Sequence, residues 1–88
     1  MDPERSALQF PCEFPVKVFG AAAEDFDACV AELVRRHVPR LGEGAIRSRT
    51  SRGGRYVAVT VTVPAESRAQ LDAVYRELSA SERVVMVL

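Results

Sequence analysis

Arg52-Gly53-Gly54-Arg55-Tyr56-Val57-Ala58-Val59-Thr60-Val61-Thr62-Val63 joins a glycine turn to a run in which valine returns at every second position. Successive side chains of a strand point to opposite faces. Val57, Val59, Val61 and Val63 therefore share one face, and Tyr56, Ala58, Thr60 and Thr62 share the other. Four valines in register belong against a core, and Gly53 and Gly54 supply the positive-φ positions of a hairpin turn. The strand that pairs with this one should lie just upstream. Ile46 to Ser51 fits, with Ile46, Ser48 and Thr50 alternating against Arg47, Arg49 and Ser51, a polar strand of the kind found at a sheet edge.

Further from the hairpin the period changes. From about Glu24 to His37, Phe26, Cys29, Val30, Leu33 and Val34 recur at helical spacing. Glu24, Asp25 and Asp27 stand in the first turn and Arg35, Arg36 and His37 in the last, matching the helix dipole, and Pro39 stops the helix. After Pro64, Ser67 with Gln70 resembles a capping box, and Leu71, Val74, Tyr75 and Leu78 form a second apolar stripe that ends near Ser79. Before the first helix, Phe14 to Gly20 alternates again, with Phe14, Val16 and Val18 opposite Pro15, Lys17 and Phe19. Arg83 to Leu88 reads as a last strand. Residues 1–12 have no periodicity and contain two prolines, so they are expected as a loosely ordered lead-in with Leu8 and Phe10 tucked against a single domain over 13–88.

The element order is β-α-β-β-α-β, which is the ferredoxin-like pattern of an α+β protein: a four-stranded antiparallel sheet with two helices on one face. The spatial order expected is 4-1-3-2. The first and third strands are then central, and the polar second and apolar fourth strands are edges. Val84 to Leu88 carries no charge, and such an edge invites pairing with another chain.

Eighty-eight residues supply one core, and 48% apolar and 27% charged residues are ordinary globular values. No apolar run approaches the roughly 20 residues needed to span a bilayer, and Met1 to Ser6 lacks the apolar core of a signal peptide. A cytoplasmic location and no membrane partner are expected. Cys12 and Cys29 are too few for a zinc site and are expected as free thiols, Cys29 as a small buried hydrophobe. The formal net charge is zero, which removes the broad attraction that drives most nucleic-acid binding. Arginine is nonetheless concentrated in the middle of the chain. Seven arginines against Glu43 alone lie between Arg35 and Arg55.

Catalysis has little to rest on: one histidine, no serine elbow, no paired metal ligands and no phosphate loop. His37, at the end of a helix beside two arginines, reads as a dipole complement or a packed ring, and neither a metal nor a cofactor is expected. The open face of the sheet is the functional candidate. Alternation places Phe19, Val85 and Val87 towards one side of it, Tyr56, Ala58, Thr60 and Thr62 in the middle, and Arg47 and Arg49 on the other side. RNA-recognition motifs share this topology and bind bases on this face. Arg52-Gly53 and Tyr56-Val57 fit their third-strand signature, but Gly54 and Val59 stand where that signature is aromatic.

Phe10-Pro11, Phe14 to Gly20, Arg36-His37-Val38-Pro39, Ser51 to Thr62 and the terminal Val85-Met86-Val87-Leu88 resemble the YbeD-like family of small bacterial proteins, a family of unknown function. The resemblance extends over almost the whole chain from Leu8 onward. It implies a fold similar to the small-molecule-sensing ACT regulatory domains, and the neighbourhood of family genes to lipoate-biosynthesis genes implies a regulatory link to lipoyl metabolism. Phe14, Lys17, Gly20, His37, Pro39, Gly53, Tyr56 and the final strand stand at the family's motif positions, whereas Ala58 stands where the family commonly has a small hydroxyl residue. In ACT-like domains ligands lie near the turn after the first strand. Here that turn is Gly20, Ala21, Ala22 and Ala23, which would hold an effector through backbone groups.

The resulting expectation is a non-catalytic regulatory or interaction domain. Its partner is a protein or a second copy, met through Phe19, Tyr56, Thr60, Val85 and Val87. A small-molecule sensor is the second reading. Binding of RNA through Tyr56, Arg47 and Arg49 is the third, and nucleic acid is not the expected partner.

Overall fold

A computed structural model describes residues 9–88. Strand β1 (Cys12–Ala21), helix α1 (Phe26–Arg35), strands β2 (Ile46–Thr50) and β3 (Tyr56–Ala65), helix α2 (Arg68–Ser79) and strand β4 (Val84–Val87) follow in order, with a 3-10 turn at Glu43–Ala45 before β2. The sheet runs β2-β3-β1-β4 with every neighbouring pair antiparallel, the ferredoxin-like order that the pattern predicts. β1 begins at Cys12, two residues before the alternation that marks it, and Phe10 packs against the core. Leu8 and the residues before it lie outside the described residues.

The core is aliphatic and closes between the sheet and the two helices. Val16 and Val18 of β1 and Val57, Val59, Val61 and Val63 of β3 are buried against Phe26, Val30 and Val34 of α1 and Leu71, Val74 and Leu78 of α2. Among the described residues no polar or charged residue is buried and no buried polar side-chain atom lacks a partner, so burial here is almost purely hydrophobic. Cys29 is only half-buried; the small inward residue of α1 is Ala31, two positions on.

Local chemistry fixes the element ends. Ser67 Oγ accepts from the Gln70 amide at 3.1 Å, while the Gln70 side chain accepts from the Glu66 amide at 2.7 Å, a capping box whose return bond falls one residue before the cap. In the β2–β3 turn the Gly54 amide donates to the Ser51 carbonyl at 2.9 Å, and Gly54 has φ of 75°. Both glycines were expected at positive φ; only Gly54 requires it. A five-residue loop, Ser51 to Arg55, spreads the reversal that a two-residue turn would concentrate.

Two ionic clamps tie the helices down. The Arg83 guanidinium meets both Asp25 carboxylate oxygens, at 2.7 and 3.2 Å, and lies 5.9 Å over the Phe26 ring, joining the start of α1 to the start of β4. At the other end of α1, Glu77 of α2 accepts from His37 Nε2 and from Arg36 Nη1, each at 2.8 Å. The His37 carbonyl in turn accepts from the Gln70 side chain at 3.0 Å. His37 is thus tied to the second helix as well as ending the first.

Candidate partner-binding face

Because the helices cover one face of the sheet, the other is left open, and the register settles which side chains share it. Arg49 pairs with Ala58, Ala58 with Phe19 and Phe19 with Met86, which makes one row across all four strands. The next row is Arg47, Thr60, Lys17 and Leu88; Leu88 and Lys17 exchange main-chain bonds of 2.8 and 3.1 Å. Beyond the first row stands Tyr56, opposite Ala21 on β1. Its diagonal neighbour on that strand is Phe19.

β4 departs from plain alternation. Phe19 pairs with Met86, but Gly20 pairs with Val84, so Val85 is an extra residue in a β-bulge. The bulge turns Val85 and Met86 to the same side, while Val84 and Val87 point to the helices and pack against the core. Val87 was expected on the open face; it pairs instead with Val18, and the side chains that extend the face on β4 are Met86 and Leu88. Exposure agrees, with Val85 at 64%, Met86 at 48%, Leu88 at 61% and Tyr56 at 51%. These four are the exposed large hydrophobics among the described residues. A run of Val-Val-Met-Val-Leu has no polar marker to show which residues face out, so Met86 and Leu88 could not be picked out from the sequence.

Arg47 and Arg49 are exposed on β2, the opposite edge, and Lys17 is exposed on the central β1. Among the described residues none of the three has an acidic partner within ion-pair distance in the clamps above or elsewhere. Glu13, two rows further along β1, is the acid of this face. The face therefore grades from an aliphatic β4 column, through Phe19 and Lys17, to an arginine column on β2.

The loop after β1 divides. Gly20 is buried, and a Cβ there would lie 2.4 Å from two carbons of the Phe26 ring and 2.6 Å from the Arg83 carbonyl oxygen. Its place is filled by protein, not by a ligand. Ala22 and Ala23 are exposed and, with Glu24, Asp27, Ser48, Thr50 and Val57, line an open concavity of about 440 Å³. Ser48 and Thr50 lie on the helix side of β2 and stay exposed beside the first turn of α1, so this hollow has hydroxyls and carboxylates where the loop alone offered only backbone. The strand order brings them to the loop, and no spacing in the sequence announces it.

The clamps perturb their carboxyl groups. Hydrogen bonds from His37 and then Arg36 hold Glu77 below the usual carboxylate range, and the Arg83 hydrogen bond, with its charge, does the same to Asp25. Burial pushes the Tyr75 hydroxyl up; it donates to the Leu88 carbonyl at 3.3 Å. Among the described residues no cluster of three or more His, Cys, Asp or Glu side chains could hold a metal, and no helix is long and apolar enough to cross a membrane.

A family model described as a protein of unknown function, DUF493, matches residues 5–88. A UPF0250 protein of Chromobacterium violaceum is 44% identical over 99% of this chain and 98% of its own length. Another, of Azotobacter vinelandii, is 42% identical over 99% and 96%. The solution structure of a protein from H. pylori superposes with a TM-score of 0.71 over 93% of this chain and 86% of that one, at 14% identity, a likeness of fold. Neither the family description nor the names of these relatives indicate a catalytic activity.

Proposed function

We propose, for a chain that belongs to the DUF493 family of proteins of unknown function, that it is a non-catalytic regulatory interaction module that docks a partner protein on its open sheet face and β4. The observation that carries this reading is the bulged strand. An ordinary four-residue edge would alternate, with two residues on the core side and the two outward ones separated by an inward one; the bulge instead sets its two outward apolar residues, Val85 and Met86, next to each other beside Leu88 and Phe19. Isolated exposed apolar residues are common on protein surfaces, but a contiguous group on an uncovered sheet is a contact surface. The same bulge shortens the regular edge, which favours packing of side chains over addition of a strand.

The test places a photo-reactive phenylalanine analogue at position 85 or 86 in cells, with position 72 on the exposed side of α2 as control. Protein adducts at 85 and 86 and none at 72 are expected. Equal yields at all three positions would refute the reading, and sedimentation of the purified chain separates a second copy from a different partner.

A second reading rests on the hollow beside Ala22 and Ala23. Its carboxylates Glu24 and Asp27 and its hydroxyls Ser48 and Thr50 suit a small ligand that carries an amine, in the manner of a sensor domain. Amide shifts confined to residues 22–27 and 48–50 on titration with amino acids or lipoyl-lysine, both of which carry an amine, support it; a spectrum unmoved by both removes it.

A further inference from the structure

The open face is not uniformly apolar, and the arrangement of its charges selects among partners. Aliphatic side chains fill the β4 side (Val85, Met86 and Leu88, continued by Phe19), and three cations follow on β1 and β2 (Lys17, Arg47 and Arg49). Neighbouring strands lie about 4.8 Å apart, so the outermost columns are about 14 Å apart. An α-helix with its side chains is about 10–12 Å across. From these dimensions and this charge pattern we infer that the occupant of the face is an amphipathic helix whose apolar stripe lies over Phe19, Met86 and Leu88 and whose acidic flank meets Lys17, Arg47 and Arg49. This rests on the reading of the face as a protein-docking surface and specifies the chemistry of its partner.

The two nearest alternatives fit the surface less well. A face-to-face pair of this chain is isologous: with the twofold axis along the strands each arginine column lies over the aliphatic column of the other copy, and with the axis across them arginine lies over arginine. The first contact desolvates arginine without a counter-charge and the second sets like charges together. A single-stranded nucleic acid supplies the anions but stacks its bases on successive rings, and this face offers one exposed ring, Tyr56, while the β4 side presents methyl and thioether groups. Phe19 is half-buried, with its neighbours Ala58 and Met86 on either side. An acidic amphipathic helix satisfies both halves of the surface together, through apolar contact on one side and charge-assisted bonds on the other.

The experiment uses the full chain and two synthetic helical peptides that share one leucine stripe, flanked by glutamate in the first and by lysine in the second, with an oligouridine as a third probe. Binding is followed by amide shift mapping and fluorescence anisotropy. The expected result is that the glutamate peptide shifts Phe19, Met86 and Leu88 and binds about tenfold more tightly than the lysine peptide, because repulsion replaces attraction at three cations. Arg47→Glu with Arg49→Glu, both at exposed positions on the edge strand, should reverse that preference. Equal binding of both peptides would overturn the assignment of an acidic partner and leave the docking reading standing. Tighter capture of the oligouridine on the same residues would replace the helix by nucleic acid, and a dimer that the glutamate peptide cannot displace would replace it by a second copy. Binding of neither peptide, with adducts still formed at position 85, would overturn the helical partner alone; loss of those adducts as well would overturn both.

Discussion

Substituting Gly20 by alanine sets two physical effects of opposite sign against each other. Glycine in the interior of a strand costs about 0.5–1 kcal/mol relative to alanine through backbone entropy, so propensity makes Gly20→Ala stabilising. Packing makes it destabilising. The new methyl carbon would lie 2.4 Å from the Phe26 ring and 2.6 Å from the Arg83 carbonyl oxygen, and to reach ordinary contact the ring must retreat by about 1 Å. Phe26 is only 1% exposed and its ring lies under the Arg83 guanidinium, so it has no free direction, and the carbonyl belongs to the backbone that leads into β4. Overpacking of this kind costs about 1–3 kcal/mol, towards the upper end where backbone must move, and after subtraction of the propensity gain a net loss of about 1–2 kcal/mol follows. A chain of this size is stable by roughly 4–13 kcal/mol in all, and its midpoint should fall by roughly 5–15 °C. Urea denaturation followed by circular dichroism measures the difference directly. Combining the change with Phe26→Leu should recover at least about 1 kcal/mol relative to the sum of the single changes, because the smaller side chain leaves room for the methyl group. A Gly20→Ala chain as stable as the parent, or strict additivity with Phe26→Leu, would refute the packing account and return Gly20 to the list of residues available to a ligand.

The bulge predicts a contrast along β4. Val85→Glu and Met86→Glu should change stability by less than about 0.5 kcal/mol, whereas Val87→Glu, which points a carboxylate at the core side of Val18, should cost about 1–3 kcal/mol in the same assay. Equal costs at 85 and 87 would mean that β4 alternates without a bulge. Ser67→Ala removes the cap of α2 and should cost about 1 kcal/mol, with loss of protection of the Gln70 amide in hydrogen exchange. Asp25 and Glu77 have lowered pKa values in the folded chain, so the stability they contribute is complete above the ordinary carboxylate range of about 4 and is lost as the pH falls through their depressed values. A denaturation series on the acid side should show that loss, and Asp25→Asn with Glu77→Gln should flatten it.

The parts of the fold that could be read from sequence were those where polarity and period agree. Val57 to Val63 and the stripes Val30, Val34 and Leu71, Val74, Leu78 each pair an apolar repeat with a polar one, so facing follows from spacing, and the strand order follows from the order of elements. β4 has no such contrast. With apolar residues at every position, its facing is decided by where the bulge falls, and the bulge falls beside Gly20, where β1 meets Phe26 and the Arg83 carbonyl from distant segments. The hydroxyls of Ser48 and Thr50 were visible as the inward side of a polar strand. Their meeting with Glu24 and Asp27 depends on how far α1 extends over the sheet edge. The same holds for His37, whose residue type and position told of a helix end but not of Glu77, forty residues away.

β1 lies between a long partner and a short one, and this divides its amides into two classes. Lys17 directs its N–H and carbonyl towards β4, and with antiparallel alternation Phe19 does the same, while Val16 and Val18 direct theirs to β3. β3 pairs along ten residues of β1 and carries four core valines; β4 is four residues long and interrupted by its bulge. Opening of β4 alone should therefore require less free energy than unfolding of the whole domain. In deuterated water, Val16 and Val18 should keep their protons until the domain unfolds, whereas Lys17 and Phe19 between them exchange early, so that a single continuous strand shows fast and slow amides at alternate residues.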